Sequence, residues 1–238
     1  MARACAVIPT RLASTRFPRK CLADETGIPM VVHVCRQADA ATAIERVVVA
    51  ADDREIIDAV RKHGFEAVLT RPDHPNGSSR VAEVAESLDH DIVVNVQGDE
   101  PELDPSDIDA SIAALLRQPD CPVATLATPF GPDEDRTDPN LVKIYHRAGI
   151  AEDFSRILRA DGNAMRHVGL YAYRREFLPR YVGLPETPRE NEERLEQLRI
   201  LDHGHSIAVA EVAVGRHGID TPEQYREFVA RWRSREDG

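Results

Sequence analysis

The chain has 238 residues, of which 42% are hydrophobic and 30% are charged. That is the composition of a globular protein with enough length for a full core, and it excludes extensive disorder. No apolar run reaches the roughly 18 residues of a membrane helix, and the N-terminus lacks the order of a signal peptide, so we expect a cytoplasmic protein. The formal net charge of −11 argues against general binding of nucleic acid.

Short apolar runs alternate with helical patterns in the first half of the chain. The predicted strands are residues 4–9, 46–51, 65–70, 92–97 and 123–128. The predicted helices are residues 29–40, 53–63, 79–88 and 105–117. Continuously apolar strands separated by helices are typical of parallel sheets that are buried on both faces. The pattern therefore predicts an α/β fold with a mostly parallel twisted sheet flanked by helices.

The pattern changes after residue 128. Polar residues interleave with apolar ones in the next two predicted strands, which favours a small antiparallel element within 129–185. The elements predicted here are strands at 141–146, 167–173 and 207–214, a long charged helix at 186–203 and a closing helix at 221–233. Thr221 is the expected N-cap of the closing helix and Pro222 its first residue. Since no linker divides the chain, we expect a single domain over 1–238.

A basic segment precedes the first acidic residue of the chain. Its five charged side chains are Arg3, Arg11, Arg16, Arg19 and Lys20. A concentrated positive patch on an acidic protein indicates a small, highly charged anion as ligand, although a solvated basic end is the alternative. The arginines, with Ser14, can donate hydrogen bonds to phosphate oxygens. Neither a Walker A loop nor a GxGxxG motif is present.

Two aspartates are candidates for binding a metal ion. Asp99 follows the fourth predicted strand next to Gly98, and Asp220 precedes the closing helix. Ligands of open parallel sheets bind at the carboxyl ends of the strands, and Mg²⁺ prefers one or two carboxylates together with substrate phosphates. We therefore expect Asp99 and Asp220 to hold Mg²⁺ jointly, with roles as turn or capping residues as the alternative.

One face of the strand at 167–173 carries His167, Gly169, Tyr171 and Tyr173, because alternate residues of a strand share a face. These side chains suit a pocket for a polar ligand. They are equally compatible with ordinary strand aromatics.

Several motifs occur together in a consistent order along nearly the whole chain. They are IPTRLASTRFPRK (8–20), VLTRPDHPNGSSR (68–80), VVNVQGDEP (93–101), DPNLVKI (138–144), DFSR (153–156), RHVGLYAYRREFL (166–178), RLEQLRIL (194–201) and GIDTPEQY (218–225). This set closely resembles the CMP-KDO synthetases, the 3-deoxy-manno-octulosonate cytidylyltransferases. Each motif alone is weak, whereas the ordered set is highly specific.

The resemblance implies a nucleotidyltransferase fold, transfer of CMP from CTP to 3-deoxy-D-manno-octulosonate (KDO) with release of pyrophosphate, a requirement for Mg²⁺, and a homodimer. It implies that Lys20, Asp99 and Asp220 are catalytic, the two aspartates as metal ligands. By position, the residues that bind CTP are Arg11, Ser14, Arg16, Lys20, Arg71 and Ser78. The residues at or near the acceptor are Gln97, Lys143, Arg156, His167, Tyr171, Glu196 and Gln197.

The sequence departs from the family pattern in places. Arg19 and Cys21 replace a usual glycine and proline, Ser79 replaces a usual acid, the 156–166 segment is short and 188–193 is unusual. The short 156–166 segment, together with the added Arg19, also suits a smaller non-sugar acid, such as phosphonoformate, which is the alternative acceptor.

Two further functions are alternatives from other classes. A non-catalytic nucleotide-binding protein would be indicated by loss of Lys20, Asp99 or Asp220, all of which are present. A sugar-1-phosphate nucleotidyltransferase would show an opening GxGxR loop, which this sequence lacks.

Overall fold

The computed structural model of the protein describes residues 2–160, 163–213 and 218–236. Within them, nine strands form one sheet. The strands are β1 (Ala4–Thr10), β2 (Ile44–Ala51), β3 (Glu66–Leu69), β4 (Ile92–Asn95), β5 (Val123–Thr128), β6 (Lys143–Arg147), β7 (Ile150–Ser155), β8 (Met165–Arg174) and β9 (Ile207–Glu211). The helices are α1 (Met30–Asp39), α2 (Arg54–Lys62), α3 (Gly77–Ala85), α4 (Pro105–Arg117), α5 (Phe177–Gly183), α6 (Pro188–Glu193), α7 (Gln197–Asp202) and α8 (Pro222–Glu236).

The order of strands across the sheet is β3-β2-β1-β4-β8-β5-β9-β7-β6. β1 pairs in parallel with β2 and β4, and β5 pairs in parallel with β9. β8 runs antiparallel between β4 and β5, and β6 and β7 form an antiparallel hairpin at one edge. The α/β class is confirmed. The sheet is mixed, however, because the antiparallel strand predicted at 167–173 lies in its middle rather than at its edge.

The buried strands explain why the sheet forms. β1 and β4 are apolar along most of their length and buried throughout except at Pro9, so each strand needs cover on both faces. One large cluster packs α1, α2 and α4 on one face, and a second packs α3 and α5 on the other. Side-chain caps start the helices that follow: Asp53 accepts from the backbone N–H of Glu55, and Asn76 from that of Ser79.

The long helix predicted at 186–203 is wrong. The segment forms two short helices, α6 and α7, because Arg194 adopts a left-handed conformation with φ of 53° and ends α6. Thr187 starts α6 through a capping box with Glu190. The buried Glu190 carboxylate then accepts hydrogen bonds of 2.5 and 2.7 Å from Arg199 on α7, which folds α7 back against α6.

Other differences concern elements that the sequence pattern did not reveal. β7 and α5 have no counterpart among the predicted elements, and the β6–β7 turn depends on positive φ values at Ala148 and Gly149. The last strand ends at Glu211, and Val214, in its predicted range, lies outside the described residues. No helix in the described part of the chain is long and apolar enough to span a bilayer.

Candidate active site at the carboxyl edge of the sheet

A cleft with a volume of about 400 Å³ lies where β1 and β4 end. Three loops line it, those that follow β1, β3 and β4, together with Asp220 shortly before α8 and Glu196 between α6 and α7. Its lining includes Thr10, Arg11, Ser14, Arg16, Lys20, His74, Asn76, Arg80, Gln97, Gly98, Asp99, Glu196 and Asp220. The predicted basic loop and the predicted aspartates therefore face the same space.

The charged end of this cleft is the phosphate corner, which consists of Arg16, Lys20, Asp99 and Asp220. The Lys20 ammonium lies 2.8 Å from Asp99 Oδ2 and 3.1 Å from Asp220 Oδ1, and it donates to the carbonyl of Ile219 at 2.9 Å. Arg16 Nη2 lies 2.9 Å from Asp220 Oδ2. Two carboxylates that are 121 positions apart in the chain thus share one cation.

Local backbone contacts bring these groups together. The Ile219 N–H donates to the carbonyl of Asp99 at 2.8 Å, which joins the segment before α8 to the loop after β4. The Gln224 side chain accepts from the N–H groups of Asp220 and Thr221 at 2.7 and 3.0 Å. A Cβ at Gly98 would lie 2.7 Å from Thr10 Cγ2 and 2.8 Å from a backbone oxygen, so only glycine fits beside β1.

The donor set at the corner suits a divalent cation only with help from a substrate. In the described ranges, no group of three or more His, Cys, Asp or Glu side chains could hold a metal ion. Asp99 and Asp220 supply two carboxylates, and the ammonium between them shows that a positive charge fits there. Mg²⁺ is commonly bound by one or two carboxylates plus phosphate oxygens, and the corner offers that number.

The loop between β3 and α3 forms the opposite end of the cleft. Sequence reasoning missed two residues that line the cleft here, Asn76 in the loop and Arg80 on α3, although both lie inside the motif at 68–80. The buried Arg80 guanidinium donates to Thr70 Oγ1 at 2.5 Å and to the carbonyl of Arg71 at 3.2 Å. The Arg71 side chain itself is exposed and contacts Glu83, so it lies outside the lining of the cleft.

A second cavity of about 270 Å³ adjoins the cleft, and we call it the acceptor cavity. Its lining is Gly77, Ser78, Asn95, Gln97, Gly169, Tyr171, Tyr173, Tyr181, Arg194, Leu195, Glu196 and Gln197. Gly77, Gln97 and Glu196 line both spaces and form their shared wall. The predicted residues Gln97, Tyr171, Glu196 and Gln197 come together here. Ser78, predicted for CTP, also lies here rather than in the cleft.

Burial determines the protonation of the groups in the acceptor cavity. It raises the pKa of Tyr171 and of Tyr173 well above the ordinary value, so both hydroxyls stay protonated. Burial also raises the pKa of Glu196, against an opposing hydrogen bond from Ser78. The Ser78 hydroxyl donates to Glu196 Oε2 at 3.2 Å, and this bond links α3 to the wall between the two spaces.

His167 lies behind the acceptor cavity rather than in its lining. Its Nε2 is 2.9 Å from Thr125 Oγ1, and its ring contacts Phe154 edge to face and tilts against Tyr171 at 5.6 Å. Burial, with the nearby Arg166, lowers the pKa of His167 to about 3. The imidazole is therefore neutral at physiological pH and supports Tyr171.

Lys143 and Arg156, predicted near the acceptor, are not among the lining residues of either space. Lys143 is fully buried and donates to the carbonyls of Asp138 and Arg156 at 2.6 and 2.9 Å. Arg156 donates from its Nε to the carbonyl of Glu193 at 2.6 Å. Both side chains thus bind backbone carbonyls in this structure. Lys143 does so because β6 directs its side chain into the core.

The added cation of the first loop also points away from the acceptor cavity. Arg19 adopts a left-handed conformation with φ of 60° and forms an ion pair with Glu55 on α2. It lines an outer groove together with Pro18, Asp52 and Asp53. The structure therefore does not support the interpretation that Arg19 compensates for extra negative charge on a small acceptor.

Comparison with known proteins agrees with this arrangement. A family model described as cytidylyltransferase matches residues 5–207. A 3-deoxy-manno-octulosonate cytidylyltransferase of Syntrophotalea carbinolica is 45% identical over 234 residues, which cover 92% of this chain and 94% of that protein. The enzyme of the same name from Azorhizobium caulinodans is 48% identical over 229 residues, with 91% and 90% covered.

A solved structure shows the same fold. It is that of a CMP:2-keto-3-deoxy-manno-octonic acid synthetase complexed with CTP, and it is 37% identical with a TM-score of 0.93. The similarity covers 98% of this chain and all of that one. Sequence and backbone thus agree over more than nine tenths of the chain. The chain belongs to the cytidylyltransferases, in the family of the 3-deoxy-manno-octulosonate cytidylyltransferases.

Proposed function

We propose that this protein transfers CMP from CTP to KDO and releases pyrophosphate. The observation that carries the proposal is the convergence of Lys20, Asp99 and Asp220 at the end of a cleft that shares a wall with a second, polar cavity. A transferase with two substrates needs two adjoining spaces that meet at one reacting centre. The names of the relatives, which are 45% and 48% identical, support KDO as the acceptor.

The cleft suits CTP with its phosphates at the basic end. Arg11, Ser14, Arg16 and Lys20 line that end, and forked guanidinium donors match phosphate oxygens well. The nucleoside would then extend toward the loop that carries Asn76, whose backbone and amide groups offer polar contacts. Ser78 and Arg71 would act on the nucleotide only through their neighbours, because neither lines the cleft.

Asp99 and Asp220 would hold Mg²⁺ in this scheme. When bound, the ion supplies positive charge that stabilises the charge developing on the reacting phosphate. Lys20 and Arg16, which pair with these aspartates, are placed to bind the oxygens of the triphosphate instead. Both cations can therefore exchange a carboxylate partner for a phosphate partner without leaving the corner.

The reaction requires the protein to position the two substrates and does not require a covalent bond between substrate and protein. An acceptor oxygen attacks the α-phosphorus of CTP in line, its proton passes to water, the new O–P bond forms, and pyrophosphate leaves. The shared wall of Gly77, Gln97 and Glu196 would align the two substrates. Tyr171 and Glu196 offer a hydroxyl donor and a carboxylate acceptor, which suits the hydroxyl groups of a sugar acid.

Pyrophosphate release tests the proposal directly. Purified protein with CTP and Mg²⁺ is expected to release pyrophosphate rapidly with KDO and at background rate with phosphonoformate. Equal release with both acids would contradict the choice of acceptor, and no release with either would contradict CMP transfer itself. Replacing CTP with ATP in the same assay serves as the control for the nucleotide.

We also propose that two copies of the chain pair through the antiparallel end of the sheet, where β6 and β7 lie and where the side chain of Ile157 is 72% exposed. Light scattering of the wild type and of Ile157→Asp tests the pairing, since a monomeric wild type would contradict it.

The four free and buried cysteines suit a reducing compartment such as the cytoplasm.

A further inference from the structure

The helix that follows Asp220 is fastened to the loop of Asp99 at two separate points. At its beginning, the Ile219 N–H binds the carbonyl of Asp99 at 2.8 Å. Three turns further along, Arg231 and Arg235 bind the carboxylate of Glu102. Asp99 and Glu102, to which α8 and its preceding segment are attached, both belong to the short loop between β4 and α4.

Glu102 makes the second attachment in a sheltered position. Its side chain is only 10% exposed. Arg231 donates from Nη2 at 2.6 Å and from Nε at 3.1 Å, and Arg235 donates from Nη2 at 3.3 Å. Residues 231 and 235 are one helical turn apart and share a face of α8. Hydrogen bonds between charged groups, two of them from one guanidinium, are stronger and more directional than neutral ones.

A different set of contacts prevents α8 from rotating. Tyr225 and Phe228 are buried against Met30. Tyr225 also accepts from the Glu25 N–H at 3.1 Å and packs against Phe17, with ring centroids 5.4 Å apart. With one face fixed by these rings, the Glu102 contact fixes the direction of the helix axis. Arg231 lies about 14 Å along the axis from the start of α8 at Pro222, at 1.5 Å per residue, which is a long lever for orienting Asp220.

We propose that Glu102 is a positioning residue for the two aspartates. Through Arg231 and Arg235 it holds α8 in the direction that points Asp220 toward Asp99 and Lys20. It thereby sets the spacing at which both carboxylates bind a divalent cation together with a triphosphate. This inference rests on the proposed function.

The test compares Glu102→Gln with Glu223→Gln. The control breaks the Glu223–Arg226 pair, which lies on the same helix but is about 70% exposed on both sides. Binding of Mn²⁺ in the presence of CTP, measured by electron paramagnetic resonance of the free ion, is expected to weaken about 5- to 20-fold in Glu102→Gln and less than 2-fold in the control. The turnover number should fall by a similar factor, whereas KM for KDO should not change.

A second readout does not depend on the metal. The Ile219 amide, which binds Asp99, should exchange its hydrogen about 10-fold faster in Glu102→Gln than in the control. The charge swap Glu102→Arg with Arg231→Glu, made together with Arg235→Gln so that no like charge faces position 102, should restore most of the protection and of the Mn²⁺ affinity. If Glu102→Gln does not fold, Arg235→Gln removes the weakest of the contacts and should shift both readouts in the same direction.

The outcomes separate the two proposals. Wild-type Mn²⁺ affinity and wild-type Ile219 exchange in a folded Glu102→Gln variant, even with a lower melting temperature, would overturn the positioning role alone. A wild-type protein that binds no Mn²⁺ with CTP and releases no pyrophosphate would overturn the proposed function, while exchange at Ile219 would still report whether Glu102 orients the helix.

Discussion

The phosphate corner and the acceptor cavity belong to one site but differ in the charge and the solvent exposure of their side chains. The corner collects side chains that are charged and partly exposed, from 16% for Lys20 to 67% for Arg16. The acceptor cavity is lined by buried tyrosines on and near β8, and its one carboxylate, Glu196, has a raised pKa. The corner thus concentrates formal charge where solvent reaches it, whereas the acceptor cavity is lined mostly by neutral groups, with Arg194 and Glu196 as its charged residues.

This difference shows how the site stays stable without substrates. At the corner, each aspartate is already paired with Lys20, and Asp220 also with Arg16, so no charge is left uncompensated. Such pairs cost little to rearrange because solvent screens them. The acceptor cavity instead relies on preformed hydrogen bonds such as that of Ser78 to Glu196.

The largest expected effect is at the corner. Asp99→Asn keeps the shape of the side chain and removes its charge, so it should lower the rate of pyrophosphate release about 10²- to 10⁴-fold, or roughly 3 to 5 kcal/mol of barrier. Stopped assays with saturating CTP and KDO measure this rate. Asp58→Asn, an exposed carboxylate on α2, is the matched control, and equal rates for the two variants would show that the corner is not the reacting centre.

A smaller effect concerns the aromatic packing that supports α8. Burial between Phe228 and Trp232 lowers the pKa of His33 to about 4, below its ordinary value of about 6.5. As pH falls from about 6.5 to 4, His33 takes up a proton in the unfolded chain but not in the folded protein. The free energy of unfolding therefore falls by up to about 3 kcal/mol. Below pH 4 both states are protonated, and this contribution changes no further.

Denaturant unfolding of the wild type and of His33→Gln at pH 7 and at pH 4.5 measures this contribution. The wild type should lose about 2 to 3 kcal/mol more stability than the variant on acidification. Parallel losses in the two proteins would show that His33 does not titrate in this way.

In the acceptor cavity, Glu196→Gln tests the single carboxylate. Hydrogen bonds to a charged acceptor are roughly twice as strong as neutral ones, so KM for KDO should rise about 10-fold, or about 1.4 kcal/mol, with KM for CTP nearly unchanged. The free energy of unfolding should stay the same or increase, because burial already disfavours the charge. Glu186→Gln, an exposed carboxylate near Arg199, is the control; a rise confined to KM for CTP would place Glu196 on the nucleotide side.

The smallest expected effect belongs to the bond that joins the two regions. Ser78→Ala removes one hydrogen bond to Glu196 and should raise KM for KDO about 5-fold, or roughly 1 kcal/mol. If the hydroxyl acts through Glu196, the double variant with Glu196→Gln should be no worse than Glu196→Gln alone. Full additivity of the two effects would show that Ser78 acts independently, and Ser87→Ala, near the end of α3, controls for the loss of a hydroxyl.

The parts of the fold that could be predicted are those with a strong local pattern. The buried strands β1, β2 and β4 are apolar runs bounded by polar loops, and their predicted bounds agree with the structure within two residues or so. The rule that ligands lie at the carboxyl ends of strands indicated the loops of Lys20 and Asp99, and the preference of Mg²⁺ for a second carboxylate indicated Asp220, although their roles stay predictions. The insertion of β8 between β4 and β5 could not be predicted, because strand partners are not encoded in any one strand's pattern.

The predicted site residues that lie outside both cavities share one cause. A motif gives position along the chain, whereas the direction of a side chain depends on strand pairing and on helix ends. Lys143 was placed near the acceptor, yet β6 directs it into the core, where it binds carbonyls. The N-cap of Asn76 and the buried contacts of Arg80 lay within a recognised motif, and reading that motif for helix caps could have found Asn76.

The left-handed conformation of Arg194 has a consequence for how the protein can change. Because it ends α6, Glu196 and Gln197 lie at the start of the short helix α7, outside the sheet. Under the proposed function, this part of the acceptor cavity is therefore an exchangeable module, and substitutions at these few positions would change acceptor selectivity while the nucleotide half keeps its architecture.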